Sequence, residues 1–185
     1  MAAGLKLLAG RWAAGLLVAV VVATGACAGS GAGNGGADAS QTSGPSGATA
    51  AVAETRAAIA QALGQRSLQL ADAKVPYRPP EPPVIAAAPR SIYQVVLPAD
   101  PNHGFIAVYE FPDAAAAAAA GHDLANYVGS GPGRVEFQLD TRFVIRQLGT
   151  TLVFYDWSPA NSPDPRTAEI QPALETVGTP IEVPR

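Results

Sequence analysis

The chain has 185 residues, a formal net charge of −3 at pH 7 and 48% hydrophobic residues. This length suits one domain rather than two. Fifteen acidic residues outnumber twelve basic ones, and no basic cluster supplies the positive face that a nucleic-acid-binding protein needs, so we predict no nucleic-acid partner.

Residues 1–26 have the three-part pattern of an export signal. Lys6 and Arg11 give a positive start, residues 12–23 are almost entirely apolar, and small residues precede Cys27, the only cysteine. The apolar stretch is shorter than the roughly 20 residues that a membrane-spanning helix needs. The pattern favours a cleaved signal peptide, and the alternative is an uncleaved N-terminal anchor helix.

The segment Ala-Thr-Gly-Ala-Cys at residues 23–27 resembles the lipobox of bacterial lipoproteins, although Thr24 stands where that family usually has leucine. The resemblance implies that Cys27 becomes the first residue of the mature chain and that its thiol carries a diacylglycerol. Each buried methylene contributes about 0.8 kcal/mol, so two or three acyl chains give stable attachment. The membrane would then be a partner through this anchor, with the protein on the extracytoplasmic side of the cell membrane.

The mature chain divides into a tether and a domain. Residues 27–49 begin with the lipidated cysteine and continue with glycine, alanine, serine and threonine, a composition that favours a flexible tether of about 25 Å. We expect residues 50–185 to form one globular extracytoplasmic domain. Loss of Lys6 and Arg11 with the signal leaves ten of the twelve basic residues against fifteen acidic ones, a net charge of −5. With Cys27 acylated, the domain has no internal disulfide.

The first half of the domain predicts a helix, a short strand, an extended strap and a hairpin. Apolar periodicity indicates the helix, and β-branched and aromatic runs indicate the strands. Five prolines in the strap exclude a helix or a central strand; a ligand for an aromatic groove is the alternative to a simple connection. The predicted ranges are helix 51–63, strand 67–70, strap 76–83 and hairpin strands 92–97 and 105–111.

The second half repeats the strand–strand–helix order. Pro112 and Asp113 are typical of a helix start, and Gly129 of a helix end. Alternating apolar residues predict a further strand before the second hairpin. The predicted ranges are helix 113–129, strand 134–139, hairpin strands 142–148 and 151–155, and helix 166–177.

These elements predict an α+β fold. We expect an antiparallel sheet built from two strand–strand–helix units, with the helices on one face and an N-terminal helix before them.

No residue pattern predicts a catalytic, metal or cofactor site. The histidines His103, with Asp100 nearby, and His122 lack the further ligands that a zinc site needs, and we expect both side chains to be solvated. The glycine-rich segment 129–133 follows a helix and has no lysine, so it predicts a connector rather than a phosphate loop. No Gly-x-Ser-x-Gly motif or mature cysteine nucleophile is present.

Two acidic pairs and one aromatic residue are the remaining candidates. Glu136 with Asp140, or Asp156 with Asp164, has the residue types of glycoside hydrolysis, although surface acids are the ordinary interpretation. Trp157 is the only tryptophan outside the signal, and it is our candidate binding residue, with a core or lid position as the alternative.

The sequence therefore predicts a lipid-anchored cell-envelope protein that acts as a non-catalytic binding or structural module. One alternative is a small extracytoplasmic hydrolase, which a pocket holding His103, Asp100 and a serine would favour. The other is a sensory or assembly accessory protein.

Overall fold

The computed structural model describes residues 48–184. The predicted signal, Cys27 and all but the last two residues of the predicted tether lie outside this range. Within it, none of the helices combines the length and the hydropathy needed to cross a bilayer.

The fold is built on one antiparallel six-stranded sheet, which confirms the α+β class. The strand order is β1-β2-β3-β5-β4-β6, and every neighbouring pair is antiparallel. The strands are β1 Leu70–Asp72, β2 Arg90–Val95, β3 Phe105–Glu110, β4 Arg142–Leu148, β5 Thr151–Trp157 and β6 Thr179–Pro180.

Both predicted hairpins are confirmed. β2 pairs with β3, and β4 pairs with β5 from Leu148 opposite Thr151. The second hairpin turns through two residues, of which the first is Gly149 with φ of 56°. A positive φ at that position matches the right-handed twist of the flanking strands and favours glycine.

The helices surround the sheet. Asp113 opens α3 as predicted, because its carboxylate accepts a hydrogen bond of 2.8 Å from the backbone N–H of Ala116. The helices are α1 Ala50–Gly64, α2 Pro83–Ala86, α3 Ala114–Gly129, α4 Gly131–Arg134 and α5 Ile170–Leu174, with 3₁₀ turns at Pro159–Asn161 and Pro165–Glu169.

The expectation that the helices lie on one face is wrong. The helices α1 and α5 pack on one face of the sheet, and α3 packs on the other. The reason lies in the central strands β3 and β5, whose residues are buried almost without interruption on both faces. A strand of this kind needs cover from both sides, and its continuous apolar run is the sequence signal for that.

The predicted strand at 134–139 is also wrong. The segment starts at the last residue of α4 and continues as turns, in which the Arg134 guanidinium donates hydrogen bonds of 2.8 and 2.6 Å to the carbonyls of Gln138 and Leu139. The alternating apolar residues do not share a buried face, since Val135 and Leu139 are 82% and 96% exposed. Only Phe137 packs inward, edge-on against Phe143.

Two other predicted elements are displaced. The first strand begins at Leu70, after Ser67 takes a positive φ of 57° at the end of α1. The last predicted helix is split, with a 3₁₀ turn that Asp164 caps and then the short α5.

A substitution at Gly121 tests how closely α3 packs on the sheet. A Cβ atom at Gly121 would lie 2.9 Å from Leu152 Cδ1 and closer still to Ile181 Cδ1. We expect Gly121→Ala to lower the free energy of unfolding by about 1–3 kcal/mol, because both neighbours are buried. Denaturant titration measures this. Gly64→Ala is the control, since nothing lies within 4 Å of its Cβ position; equal effects of the two substitutions would contradict close packing of α3.

Candidate ligand-binding cleft

A cleft of about 400 Å³ lies at one end of the sheet. The proline strap, the β2–β3 loop, the α4–β4 segment and the end of β5 meet there. The main contributing segments are 77–80, 102–105, 136–138 and 156–158. Strand pairing brings these distant segments together, because β3 begins where β5 ends.

Aromatic rings form the walls of the cleft. The strap places the Tyr77 ring parallel to Phe105, with centroids 4.5 Å apart and an interplanar angle of 11°. Phe137 and Trp157 also line the cleft. The sequence predicts a connection for the strap, with a ligand for an aromatic groove as the alternative. The structure instead places Tyr77 of the strap in the wall of the cleft, and a tyrosine within a run of prolines is the sequence signal for that position.

Trp157, the predicted binding residue, lies on the cleft and is partly buried. Its indole N–H donates a hydrogen bond of 3.1 Å to Gln171 Oε1, and the Arg142 guanidinium lies 5.4 Å from its ring centroid. These contacts fix the orientation of the ring from two sides. Both interpretations of Trp157, as a binding residue and as a core or lid residue, thus apply in part, because the side chain is half-buried and also forms part of a cleft wall.

A partly buried acid–phenol pair borders the same space. The Tyr77 hydroxyl donates a hydrogen bond of 2.7 Å to Asp156 Oδ1. Burial raises the pKa of Asp156, although the Tyr77 hydrogen bond and the charge of His103 oppose the shift. Burial and the neighbouring Asp156 also raise the pKa of Tyr77. The carboxyl group of Asp156 therefore keeps its proton to a higher pH than an exposed aspartate does.

His103 and Asp100 form a second pair at the cleft. His103 Nδ1 lies 2.6 Å from Asp100 Oδ1, and Asp100 is buried behind it with 4% exposure. The imidazole lines the cleft with 53% of its side chain exposed. A carboxylate that holds one ring nitrogen leaves the other available to a ligand or a water molecule. The expectation of a solvated His103 is thus incomplete, because the side chain is oriented by a buried partner.

Each predicted acidic pair contributes one member to the lining of the cleft. Glu136 and Asp156 line it. Asp140 instead accepts hydrogen bonds from the Ser158 hydroxyl and the Ala160 N–H, and Asp164 binds the Arg166 guanidinium.

His122 lies on the exposed surface of α3, away from the residues that line the cleft. Among residues 48–184, no group of three or more histidine, cysteine or acidic side chains is placed to hold a metal ion. The chemistry available in the cleft from the described residues is hydrogen bonding, aromatic contact and proton exchange.

Comparison with family models found no match to this chain, and neither the curated proteins nor the solved structures gave a significant match.

The pKa of Asp156 is raised and that of Asp164 is lowered, so pH should change their contributions to the free energy of unfolding in opposite directions. A raised pKa in the folded state means that the folded protein binds more protons, so the contribution of Asp156 is lost as pH rises from about 4. We expect Asp156→Asn, whose amide oxygen still accepts from Tyr77, to gain stability relative to the wild type as pH rises. Denaturant titrations from pH 3 to pH 7 measure this.

Asp164→Asn is the control of opposite sign. The hydrogen bonds from Arg166 lower the pKa of Asp164, so its contribution is present near neutral pH and is lost as pH falls. The free energy of unfolding that Asp164→Asn loses relative to the wild type should therefore become smaller as pH falls. Parallel pH profiles for the wild type and Asp156→Asn would contradict the burial of the Asp156 carboxyl.

Proposed function

We propose that the protein is a lipid-anchored binding module of the bacterial cell envelope, with the cleft as its ligand site. The observation that carries the proposal is the cleft itself, where aromatic walls stand beside Asp156 and His103. The export pattern before Cys27 supports the location. The cleft has the features of a small-ligand site, namely concave apolar walls and a few placed polar groups.

The position of Thr49, the last residue of the predicted tether, supports a ligand from the surroundings rather than from the membrane. Thr49 is where the described chain leaves the tether, and its hydroxyl donates a hydrogen bond of 2.7 Å to Glu110 at the end of β3. Phe105, at the start of the same strand, lines the cleft. Five steps of about 3.3 Å separate the two ends by about 17 Å. The cleft is thus at the sheet end opposite Thr49, the last residue of the predicted tether.

The lining of the cleft favours an uncharged polar ligand such as an oligosaccharide. The rings of Tyr77 and Trp157 offer flat apolar faces, and the side chains of Asn102, Gln138 and Asn161 offer amide donors and acceptors. Sugars present the same alternation of C–H faces and hydroxyl groups. The bacterial wall supplies such ligands as polymers that contain N-acetylglucosamine.

Attachment through Cys27 is tested on the purified natural protein. Intact mass spectrometry should give a chain that begins at Cys27 with the added mass of its acyl groups, and the protein should partition into detergent. Cys27→Ser should lose both properties, whereas Ser30→Ala should keep them. An intact Met1 with an unmodified Cys27 would contradict the anchor.

Ligand binding is tested by fluorescence, because Trp157 is the only tryptophan outside residues 1–27. The lipidated protein in detergent micelles is titrated with a tetrasaccharide of N-acetylglucosamine, and we expect a saturable change in Trp157 emission. Tyr77→Phe should weaken binding by about threefold to tenfold, since Asp156 loses its hydrogen-bond donor. Tyr93→Phe, on the packed face of the sheet outside the cleft, should leave binding unchanged.

Either of two results would contradict this assignment. No change in Trp157 emission at a millimolar concentration of the tetrasaccharide would exclude oligosaccharides of N-acetylglucosamine as the ligand. Equal effects of the two tyrosine substitutions would exclude the cleft as the site.

A hydrolase is the second candidate, and the His103–Asp100 pair favours it. An imidazole oriented by a buried carboxylate, beside an Asp156 carboxyl whose pKa is raised by burial, supplies the two groups that a general base and a general acid require. The Ser158 hydroxyl binds Asp140, so the geometry supports attack by water rather than by serine. Mass spectrometry of the tetrasaccharide after the titration separates the candidates: cleavage that His103→Gln abolishes favours the hydrolase, and an intact sugar favours the binding module.

A further inference from the structure

A second concave surface lies along the outer edge of β4. This groove has a volume of about 560 Å³ and is bounded by Arg142–Ile145 of β4, the end of α3 and the C-terminal segment 180–184. It has a different lining from the cleft, apart from Thr141, which borders both.

The edge of β4 is only half paired. β6 pairs with Arg146 and Gln147, and the Ile181 N–H donates a hydrogen bond of 3.0 Å to the Ile145 carbonyl. Over Arg142–Val144, no strand in the described range pairs with the outer side of β4.

The hairpin determines which peptide groups face outward. In a two-residue hairpin the closing pair, Leu148 with Thr151, is hydrogen-bonded, and hydrogen-bonded and open pairs then alternate along the strands. The peptide groups of residues 146, 144 and 142 therefore face β5, and those of residues 145 and 143 face away. The hydrogen bond from the Ile181 N–H to the Ile145 carbonyl agrees with this alternation, because it requires the Ile145 carbonyl to face away from β5. The N–H and C=O of Phe143 thus face the groove.

The C-terminal segment is held away from this part of the edge. Val183 and Pro184 pack closely on Gly129 at the end of α3, where a Cβ atom would lie 2.6 Å from the Pro184 carbonyl oxygen. Among the described residues, pairing of this segment with β4 ends at the Ile181 hydrogen bond, and the groove is lined by residues 182–184 on one side and Arg142–Val144 on the other.

Three arginines and two carboxylates line the groove, namely Arg134, Arg142, Arg146, Glu175 and Glu182. The charges of Glu175 and Glu182 act on Arg146, and the Arg134 guanidinium donates to the carbonyls of Gln138 and Leu139. Arg142 is exposed, and among the described residues no carboxylate lies within ion-pair distance of it. Arg146 differs, because its guanidinium donates to the carbonyls of Val177 and Gly178. The cation available to a strand laid along the free edge is therefore Arg142.

We propose that the free edge of β4 at Arg142–Val144 accepts an extended acidic peptide of a partner protein as an added strand. Outward peptide groups select an extended chain, and Arg142 selects a carboxylate next to it. A second copy of this protein is a poorer occupant: self-pairing about Phe143 places the two Arg142 residues on the diagonal, about 7–8 Å apart, where like charges repel. Three residues span about 10 Å, so the site suits a short segment and a transient complex.

The test uses a synthetic peptide of alternating threonine and valine with one central glutamate, added to the lipidated protein in micelles. We expect hydrogen exchange of the β4 segment around Phe143 to slow by about tenfold at saturation. N-methylation of one set of alternate peptide amides should abolish this protection, and methylation of the other set should not, because a strand bonds to its neighbour through one set only.

Protein variants test the charge. Arg142→Glu should weaken binding by about fivefold or more, and a peptide with lysine in place of glutamate should restore it. Lys74→Glu is the matched control, since this exposed residue follows β1 at the other edge of the sheet and should change affinity by less than about twofold.

Three results would overturn the proposal. The first is equal protection with both methylated peptides. The second is protection that appears on β1 instead of β4. The third is protection without peptide that grows with protein concentration, which would identify a second copy as the occupant.

Discussion

The structure depends on the burial of its two central strands on both faces. Tyr109 of β3 and Tyr155 of β5 are fully buried on opposite faces of the sheet. A sheet with such strands needs helices above and below, because a one-sided layer would leave apolar side chains in water. Both faces of the sheet are therefore covered by packed helices. Polar side chains that can meet a ligand are left to the ends and edges of the sheet, where the cleft and the groove lie.

The same burial acts on the ionisable groups at the end of the sheet. Asp156 directly follows the buried run of β5, and Asp100 is withdrawn behind His103. Because protein excludes water from one side of these groups, they rely on Tyr77 and His103 as hydrogen-bond partners. Packing that stabilises the fold therefore also gives the cleft a carboxyl group whose pKa is higher than that of an exposed aspartate.

Local patterns predicted the local elements, and long-range packing determined the rest. The two hairpins and the Asp113 cap could be predicted because their residues are neighbours in sequence. The segment 134–139 could not, since its alternation was overridden by hydrogen bonds from Arg134 within one turn. The sequence predicted Trp157 as a binding residue and His103 as a solvated side chain. Their common cleft depends on Tyr77, which lies 79 residues before its partner Asp156, and no local pattern contains that contact.

The strand order explains why the cleft and the groove are separate. The chain enters the second hairpin at β4, yet β5 is the strand that pairs with β3. This exchange puts the end of β5, with Asp156, beside the start of β3, with Ile106 opposite Tyr155. It also moves β4 outward, where the short β6 covers only part of its edge. Had β4 paired with β3, Asp156 would lie toward the edge, farther from Phe105 and the strap. The strand order thus places the acid–base groups at the end of the central strands and the unpaired peptide groups of β4 near the edge of the sheet.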